Sequence, residues 1–88
     1  MKLIISIIQD QESDPVSKAL TSMGFRVTLI GSTGGFLKRG SSTLLIGVED
    51  DQVEQALQII RDTCSLSADQ NQNRATIFVL NVQKSVHI

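Results

Sequence analysis

Hydrophobic residues form dense runs and spaced stripes along the chain, and this pattern predicts four strands and two helices. Short continuous or alternating apolar runs are typical of strands, whereas repeats three and four residues apart are typical of amphipathic helices. The predicted strands cover residues 2–8, 25–30, 42–49 and 75–82. Each helix lies between two of these runs, so the predicted element order is β-α-β-β-α-β.

The first predicted helix follows the polar segment QDQESDP, which we expect to end strand one. Asp14 is a favourable N-cap and Pro15 suits the first helical turn. The apolar stripe consists of Val16, Ala19, Leu20 and Met23. Gly24 stands where a helix usually ends, because glycine accepts the positive φ of a helix terminus.

The second predicted helix begins at Asp51, with Glu54 three residues later in the position of a capping box. Its apolar stripe repeats the spacing of the first helix and consists of Val53, Ala56, Leu57 and Ile60. We expect residues 64–74 to form a polar loop and residues 83–88 to form a tail. The pattern thus contains two similar halves joined by the segment 31–41.

Two right-handed crossovers place both helices on one face of a four-stranded antiparallel sheet, the ferredoxin-like α+β plan. With 88 residues, we expect one domain over 1–88. The strands are apolar on both faces, with Leu3, Ile5 and Ile7 on one side of strand one and Ile4 and Ile8 on the other. Two helices cover one face only, so the sequence predicts that the open face is buried by oligomerisation.

Charge and cysteine content exclude several classes of protein. The chain has eight Lys and Arg against nine Asp and Glu, a net charge of -1, which does not indicate bulk electrostatic binding to nucleic acid or a membrane. The single cysteine, Cys64, excludes a disulfide scaffold and fits a reducing cytoplasm. The N-terminal apolar run is too short to span a membrane and lacks the cleavage site of a signal peptide.

Candidate catalytic residues are few. His87 is the only histidine and lies in the predicted tail, and the acidic run 49–51 is better explained as a helix start. Small phosphatases with this fold hold phosphate in the loop after strand one, but QDQESDP is acidic and contains neither glycine nor arginine. We therefore expect no catalytic residues, no metal ligands and no cofactor.

The segment STGGF has the features of an anion-binding loop. Gly34 and Gly35 accept positive φ, so successive N–H groups can converge on an anion. Ser32 and Thr33 add hydroxyl groups, and an exposed Phe36 ring would offer a face for a purine. The alternatives are a simple hairpin turn, with Phe36 covering the core or a neighbouring subunit.

Strands two and three add further candidates. Arg26 and Thr28 lie two residues apart and share a face, and Arg26 can hold a phosphate or a base edge with a bidentate fork. Gly47 lies inside strand three, where the missing side chain lets a ligand or another backbone approach. In the alternative interpretations Arg26 pairs with Glu49 or another acid, and Gly47 marks a β-bulge.

The motif FRxTxxxxTGGFLxxGxxTxxxGVxD, beginning at Phe25, resembles the P-II-like cyclic di-AMP receptor family. The opening MKLIISIIQDQ and the strand ATIFVLNV also resemble it, so the similarity covers nearly the whole chain. The resemblance implies a cytoplasmic homotrimer whose open sheet faces meet at the centre. It further implies nucleotide sites between subunits, and signalling to a protein partner without catalysis.

The resemblance implies ligand contacts at positions that match the motif: Arg26, Thr28, Phe36, Leu37 and Gly47. Family members usually have Asn at the positions of Gly24 and Ser41, and Ser41 keeps a hydroxyl as a candidate contact. His87 replaces a Gln if the tails align, and the family's long loop is shortened here to about residues 65–74. Besides cyclic di-AMP binding, the sequence leaves open an ATP or ADP sensor and a structural trimer with a degenerate site.

Overall fold

A computed structural model describes residues 1–32, 41–65, 75–86 and 88. The elements are β1 (Lys2–Gln9), α1 (Asp10–Ser22), β2 (Arg26–Ser32), β3 (Ser41–Val48), a 3-10 turn (Asp50–Gln52), α2 (Val53–Ser65) and β4 (Ala75–Asn81). The predicted order of strands and helices is confirmed.

The four strands form one antiparallel sheet in the order β2-β3-β1-β4. The long central strand β1 pairs with β3 on one side and β4 on the other, so the two halves of the chain interlock. Together with two helices this is the ferredoxin-like α+β fold. Strand and helix directions bring the ends of β1, β2 and α2 and the starts of β3 and β4 to one end of the sheet.

The core lies between the helices and one face of the sheet. Its buried side chains come from alternate strand positions and from the helix stripes: Ile4, Ile8, Val16, Leu20, Phe25, Leu44, Ile46, Val48, Ala56, Ile60 and Cys64. Ser6 is also buried here, and its hydroxyl has no hydrogen-bond partner among the described residues. Full burial of such aliphatic side chains stabilises the fold by about 1.5–3 kcal/mol each.

The opposite face of the sheet is uncovered and apolar, as the two-sided pattern of β1 predicts. We call it the open face. Register and alternation place the following apolar side chains there: Leu3, Ile5, Ile7, Leu45, Phe78 and Leu80. Phe78 is 50% exposed and Leu80 is 46% exposed. Patches of this kind mark interaction surfaces more often than plain solvent-facing surface.

Helix α1 starts earlier than the sequence predicts. Asp10 directly follows Gln9 of β1, so QDQESDP is not a loop and Asp14 is not the N-cap. Asp10 and Glu12 place negative charge in the first turn, which favours a helix start. Pro15 consequently lies inside the helix, where its missing N–H removes one backbone hydrogen bond.

The capping box of the second helical segment also differs from the prediction. Glu49, not Asp51, is the capping residue, and Gln52 is its partner at the third position. The N–H of Glu49 donates to Oε1 of Gln52 over 3.0 Å. Residues 50–52 form a 3-10 turn that leads into α2, whose predicted stripe is buried at Ala56 and Ile60 and half-buried at Val53 and Leu57. The helix continues to Ser65.

The end of α1 is a Schellman motif around Gly24. The N–H of Phe25 donates to the carbonyl of Leu20 over 3.1 Å, and that of Gly24 donates to Thr21 over 3.0 Å. Gly24 has φ +90°, as its predicted role requires. Met23 was predicted to belong to the apolar stripe, but it is the C-cap residue and is 56% exposed.

Several expected features lie outside the described residues. These are the segment 33–40, the segment 66–74 and His87. The described part of the tail, residues 83–86 and 88, has no regular secondary structure, as predicted.

Replacing Gly24 with alanine should lower the free energy of unfolding by about 1–2 kcal/mol, because a Cβ atom makes the left-handed conformation unfavourable. A Cβ at this position meets no atom within 4 Å, so the backbone conformation alone carries the effect. Gly24→Asn is the matched control, since asparagine enters this region more readily. Urea denaturation of the three proteins is the measurement. Equal stability of the alanine variant and the parent would contradict this account of the helix end.

Candidate functional site

Arg26 is the one charged side chain on the open face among the described strand residues. It begins β2 directly after the Schellman motif and pairs with Gly47 of β3. Its guanidinium is exposed and makes no ion pair or hydrogen bond within the described ranges. The alternative pairing with Glu49 is not seen, because Glu49 closes the capping box with Gln52. Arg26 therefore presents five unused donors beside an apolar surface.

Gly47 lies in regular register between two strands, opposite Arg26 on one side and Leu3 on the other. It is not at a bulge, which corrects one interpretation of the sequence. The irregularity of this hairpin lies in β2 instead, between Leu29 and Gly31. Among the described residues, positive φ occurs only at Gly24 and Gly31, so the conformation of Gly47 does not require glycine.

The space above Gly47 is open. A Cβ atom placed there would meet a single atom within 4 Å, the Cε of Met1 at 3.4 Å. That distance is ordinary van der Waals contact with the end of a flexible side chain. The packing of the described residues thus gives no reason for glycine at position 47, and the missing side chain leaves room for another group to come close.

The surface around Gly47 is polar on one side and apolar on the other. Thr28 shares the face of Arg26, as predicted, and pairs with Leu45 of β3. Leu45 and Leu3 flank Gly47 along and across the strands. Paired Cα atoms of antiparallel strands are about 5 Å apart, so all four side chains border one small area. Guanidinium and hydroxyl donors beside a flat apolar surface suit a ligand with an anion and a planar ring.

The remaining predicted residues lie elsewhere. Ser32 ends β2 and Ser41 begins β3, so both are at the end of the sheet opposite Arg26. Along β2 the separation from Arg26 to Ser32 is about 20 Å at the usual rise of a strand. Closeness in the sequence therefore does not bring Arg26 next to Ser32 or Ser41. Thr33, Gly34, Gly35, Phe36 and Leu37 lie outside the described residues.

The loop end of the sheet has its own buried polar contact. The hydroxyl of Ser42 donates to Oδ1 of Asp10 over 2.5 Å, and the Ser42 side chain is buried. This bond joins the start of β3 to the first residue of α1. It fixes the position from which the segment 33–40 returns to the sheet.

Met1 is held at the Arg26 end of the sheet by its backbone. Its amino group lies 3.1 Å from Oδ1 of Asp50, and its carbonyl accepts from the N–H of Val82 over 3.1 Å. Hydrogen bonding and charge attraction from this amino group lower the pKa of the Asp50 carboxyl, with a smaller contribution from Lys2. Two contacts thus fix the main chain of Met1 beside the site.

The described part of the chain offers no alternative metal chemistry. Within it, no three His, Cys, Asp or Glu side chains come together as metal ligands would. Across the same ranges, no helix has the length and apolar character needed to cross a membrane.

Comparison with known families shows the family of this chain. The family model described as cyclic-di-AMP receptor matches residues 1–72. The chain belongs to the cyclic-di-AMP receptor family. The match spans Arg26, Thr28 and Gly47 and the segment 33–40. Because this is a family of receptors and not a known enzyme family, membership supports binding of a nucleotide second messenger.

One solved structure is similar in fold to this chain over nearly the whole length of both proteins. It is the crystal structure of a functionally unknown protein from Pediococcus pentosaceus ATCC 25745. The two sequences are 29% identical, and the similarity covers 99% of this chain and 96% of the other, with a TM-score of 0.81.

Sequence reasoning did not include Met1 and Leu45 among the neighbours of the site. Leu45 was open to prediction, because residues two apart in a strand share a face and Gly47 was already a candidate. Met1 precedes the first strand, and no periodicity extends to it. Only the register of β1 against β3, with the fixed backbone of Met1, brings its side chain to Gly47.

Replacing Gly47 with alanine should leave the fold intact and raise the free energy of unfolding by up to about 1 kcal/mol, because glycine within a strand is unfavourable relative to alanine. Chemical denaturation of the ligand-free protein checks this. A loss of more than about 1 kcal/mol would mean that the chain itself requires glycine here, and the argument for an approaching ligand would fail.

Proposed function

We propose that this chain is a cytoplasmic P-II-like signalling protein that binds cyclic di-AMP between the subunits of a homotrimer and passes its ligand state to a partner protein. The observation that carries the proposal is Arg26. It is a cation without an ion pair or hydrogen bond among the described residues, on a mainly apolar strand surface and opposite a glycine that the described packing does not require. Family membership supplies the class of ligand.

The electrostatics of the open face favour an anionic ligand. Covering the apolar patch with a second copy would remove Arg26 from water together with its neighbours. Burying an unpaired charge costs several kcal/mol, and a hydrogen-bonded anion offsets that cost. A phosphate group accepts two parallel hydrogen bonds from a guanidinium, so a nucleotide phosphate is a matching counterion.

The shape of the surface favours a planar base beside that phosphate. Gly47 leaves a flat floor between Arg26 and Leu3, and Leu45 extends its apolar area. Thr28 adds a hydroxyl that donates to or accepts from a polar ring edge. Cyclic di-AMP contains both parts, because two adenosines are joined through two phosphates.

The distance between the two groups of candidate residues supports sites shared between subunits. The eight residues 33–40 leave and re-enter the sheet at the same end, so they reach about 13 Å at most. Arg26 is about 20 Å along β2 from that end. We therefore propose that the STGGF segment of one subunit, including Phe36 and Leu37, meets Arg26, Thr28 and Gly47 of a neighbour. Ser32 and Ser41 would support the base of that segment.

Nucleotide binding is tested by calorimetric titration with cyclic di-AMP, cyclic di-GMP, ATP, ADP and AMP. We expect cyclic di-AMP to bind the parent most tightly. Arg26→Ala should weaken that binding about ten- to a hundredfold, since a charge-assisted hydrogen bond contributes roughly 1.5–3 kcal/mol. Arg61→Ala is the matched control, because Arg61 is exposed on α2 and contacts only Gln58 among the described residues. It should bind like the parent.

Each other outcome has a defined meaning. Preferential binding of ATP or ADP would mean that the protein senses a mononucleotide and not cyclic di-AMP. Failure of every nucleotide to bind would overturn it and favour a structural trimer with a degenerate site. Equal weakening by Arg26→Ala and Arg61→Ala would show a nonspecific charge effect.

The homotrimer is tested by light scattering at micromolar concentration, where the parent should have three times the chain mass. Phe78→Glu should dissociate the trimer or unfold the protein, because the substitution places a charge in the proposed apolar interface. Met23→Glu is the control. Met23 is similarly exposed, at 56% against 50%, but it lies at the end of α1, away from the open face. It should remain trimeric, and a monomeric parent would exclude the shared site.

A further inference from the structure

We propose that Met1 is a ligand-binding residue, whose thioether forms the apolar wall of a purine pocket with Gly47 as its floor and Arg26 on the opposite side. The inference rests on the proposed nucleotide-binding function and adds a contact to the same site. It assigns a binding role to a residue that the family motif, which begins at Phe25, does not contain.

The position of Met1 is determined by contacts that use its main chain. The amino group bonds to Asp50 and the carbonyl bonds to the N–H of Val82, both over 3.1 Å. One anchor comes from the turn before α2 and the other from the residue after β4. The side chain is therefore projected from a fixed point, and its identity can change without loss of either anchor.

The side chain of Met1 extends over the open face to Gly47. Its Cε is the single atom within 4 Å of a Cβ built on Gly47, at 3.4 Å. Since Ile46 and Val48 face the core, that Cβ direction points to the open face. Met1 nevertheless remains 48% exposed, so about half of the residue is still accessible.

A methionine in this setting is suited to contact an aromatic ring. Its unbranched side chain has three rotatable bonds, and sulfur and methyl groups make favourable contacts with ring faces and edges. A base placed over Gly47 has the Arg26 guanidinium one strand away on one side. On the other side it meets the methyl group of Met1, which either packs against the base or rotates aside. We assign the packed arrangement, because a flexible methionine side chain gains a favourable contact when it lies against an aromatic ring.

Methyl-labelled methionine gives a direct test that needs no substitution at the site. The chain contains two methionines, so ¹³C-methyl labelling yields two signals. Met23→Leu assigns them, and Met23 serves as the internal control because it lies at the end of α1. On titration with cyclic di-AMP, and separately with AMP, the ring current of the base should shift the Met1 methyl signal and leave the Met23 signal in place.

Affinity gives the second readout. Met1→Ala, made with a removable N-terminal fusion that leaves no extra residue, should bind cyclic di-AMP about two- to tenfold more weakly in calorimetry. Met23→Ala should bind like the parent. Met1→Ala and Gly47→Ala combined should depart from additivity by about twofold or more, because both positions border the same space.

The outcomes separate this inference from the proposed function. If the parent binds a nucleotide but the Met1 methyl signal does not move and Met1→Ala binds equally well, Met1 is not a ligand contact, and the nucleotide site stands without it. If the Met1 and Met23 signals shift equally, the change is global and the inference is overturned. If the parent binds no nucleotide, the proposed function and this inference fall together.

Discussion

A four-stranded sheet that is apolar on both faces, with two helices in the described part of the chain, is the constraint on which the rest of this structure depends. The helices cover Ile4, Ile8, Leu44 and Ile46 and leave the other face with Leu3, Ile5, Leu45 and Phe78. A domain of 88 residues buries a modest share of its surface on folding. Burying the open face would therefore add substantially to the apolar area removed from water. The association through the open face that we propose would bury it.

The candidate site lies where the open face carries polar side chains instead of apolar ones. On a face that is mainly aliphatic and aromatic, one edge carries Arg26 and Thr28, and Gly47 lies between Arg26 and the central strand β1. An interface that buries this edge must supply a partner for the guanidinium. Gly47 leaves room for a flat group at the same place. Assembly and ligand binding are therefore linked in the proposed function, because the surface that associates also contains the charge that the ligand neutralises.

The strand directions separate the candidate residues into two groups at opposite ends of the sheet. Arg26 and Gly47 are at one end of the β2–β3 hairpin, and Ser32 and Ser41 are at the other. The hydrogen bond between Ser42 and Asp10 holds the loop end to the start of α1. At the opposite end, Met1 is held to Asp50 and Val82 beside Gly47. The candidate residues among the described strands are thus held at two separate ends of one sheet.

The element order, the two-sided sheet, the glycine at the end of α1 and the candidates Arg26, Thr28 and Gly47 were predictable from the sequence, because periodicity, backbone freedom and charge are local properties of residues. The family was also identifiable from the sequence, because its motif is a local pattern of residues. The start of α1 at Asp10 and the capping box at Glu49 were not predictable. A helix that begins before an internal proline, and the choice among neighbouring acidic residues as cap, both depend on packing. The tertiary structure alone placed Arg26 at the end of the sheet opposite Ser32 and Ser41. It alone also brought Met1 to Gly47, because strand register is determined by which face is buried and not by any single residue.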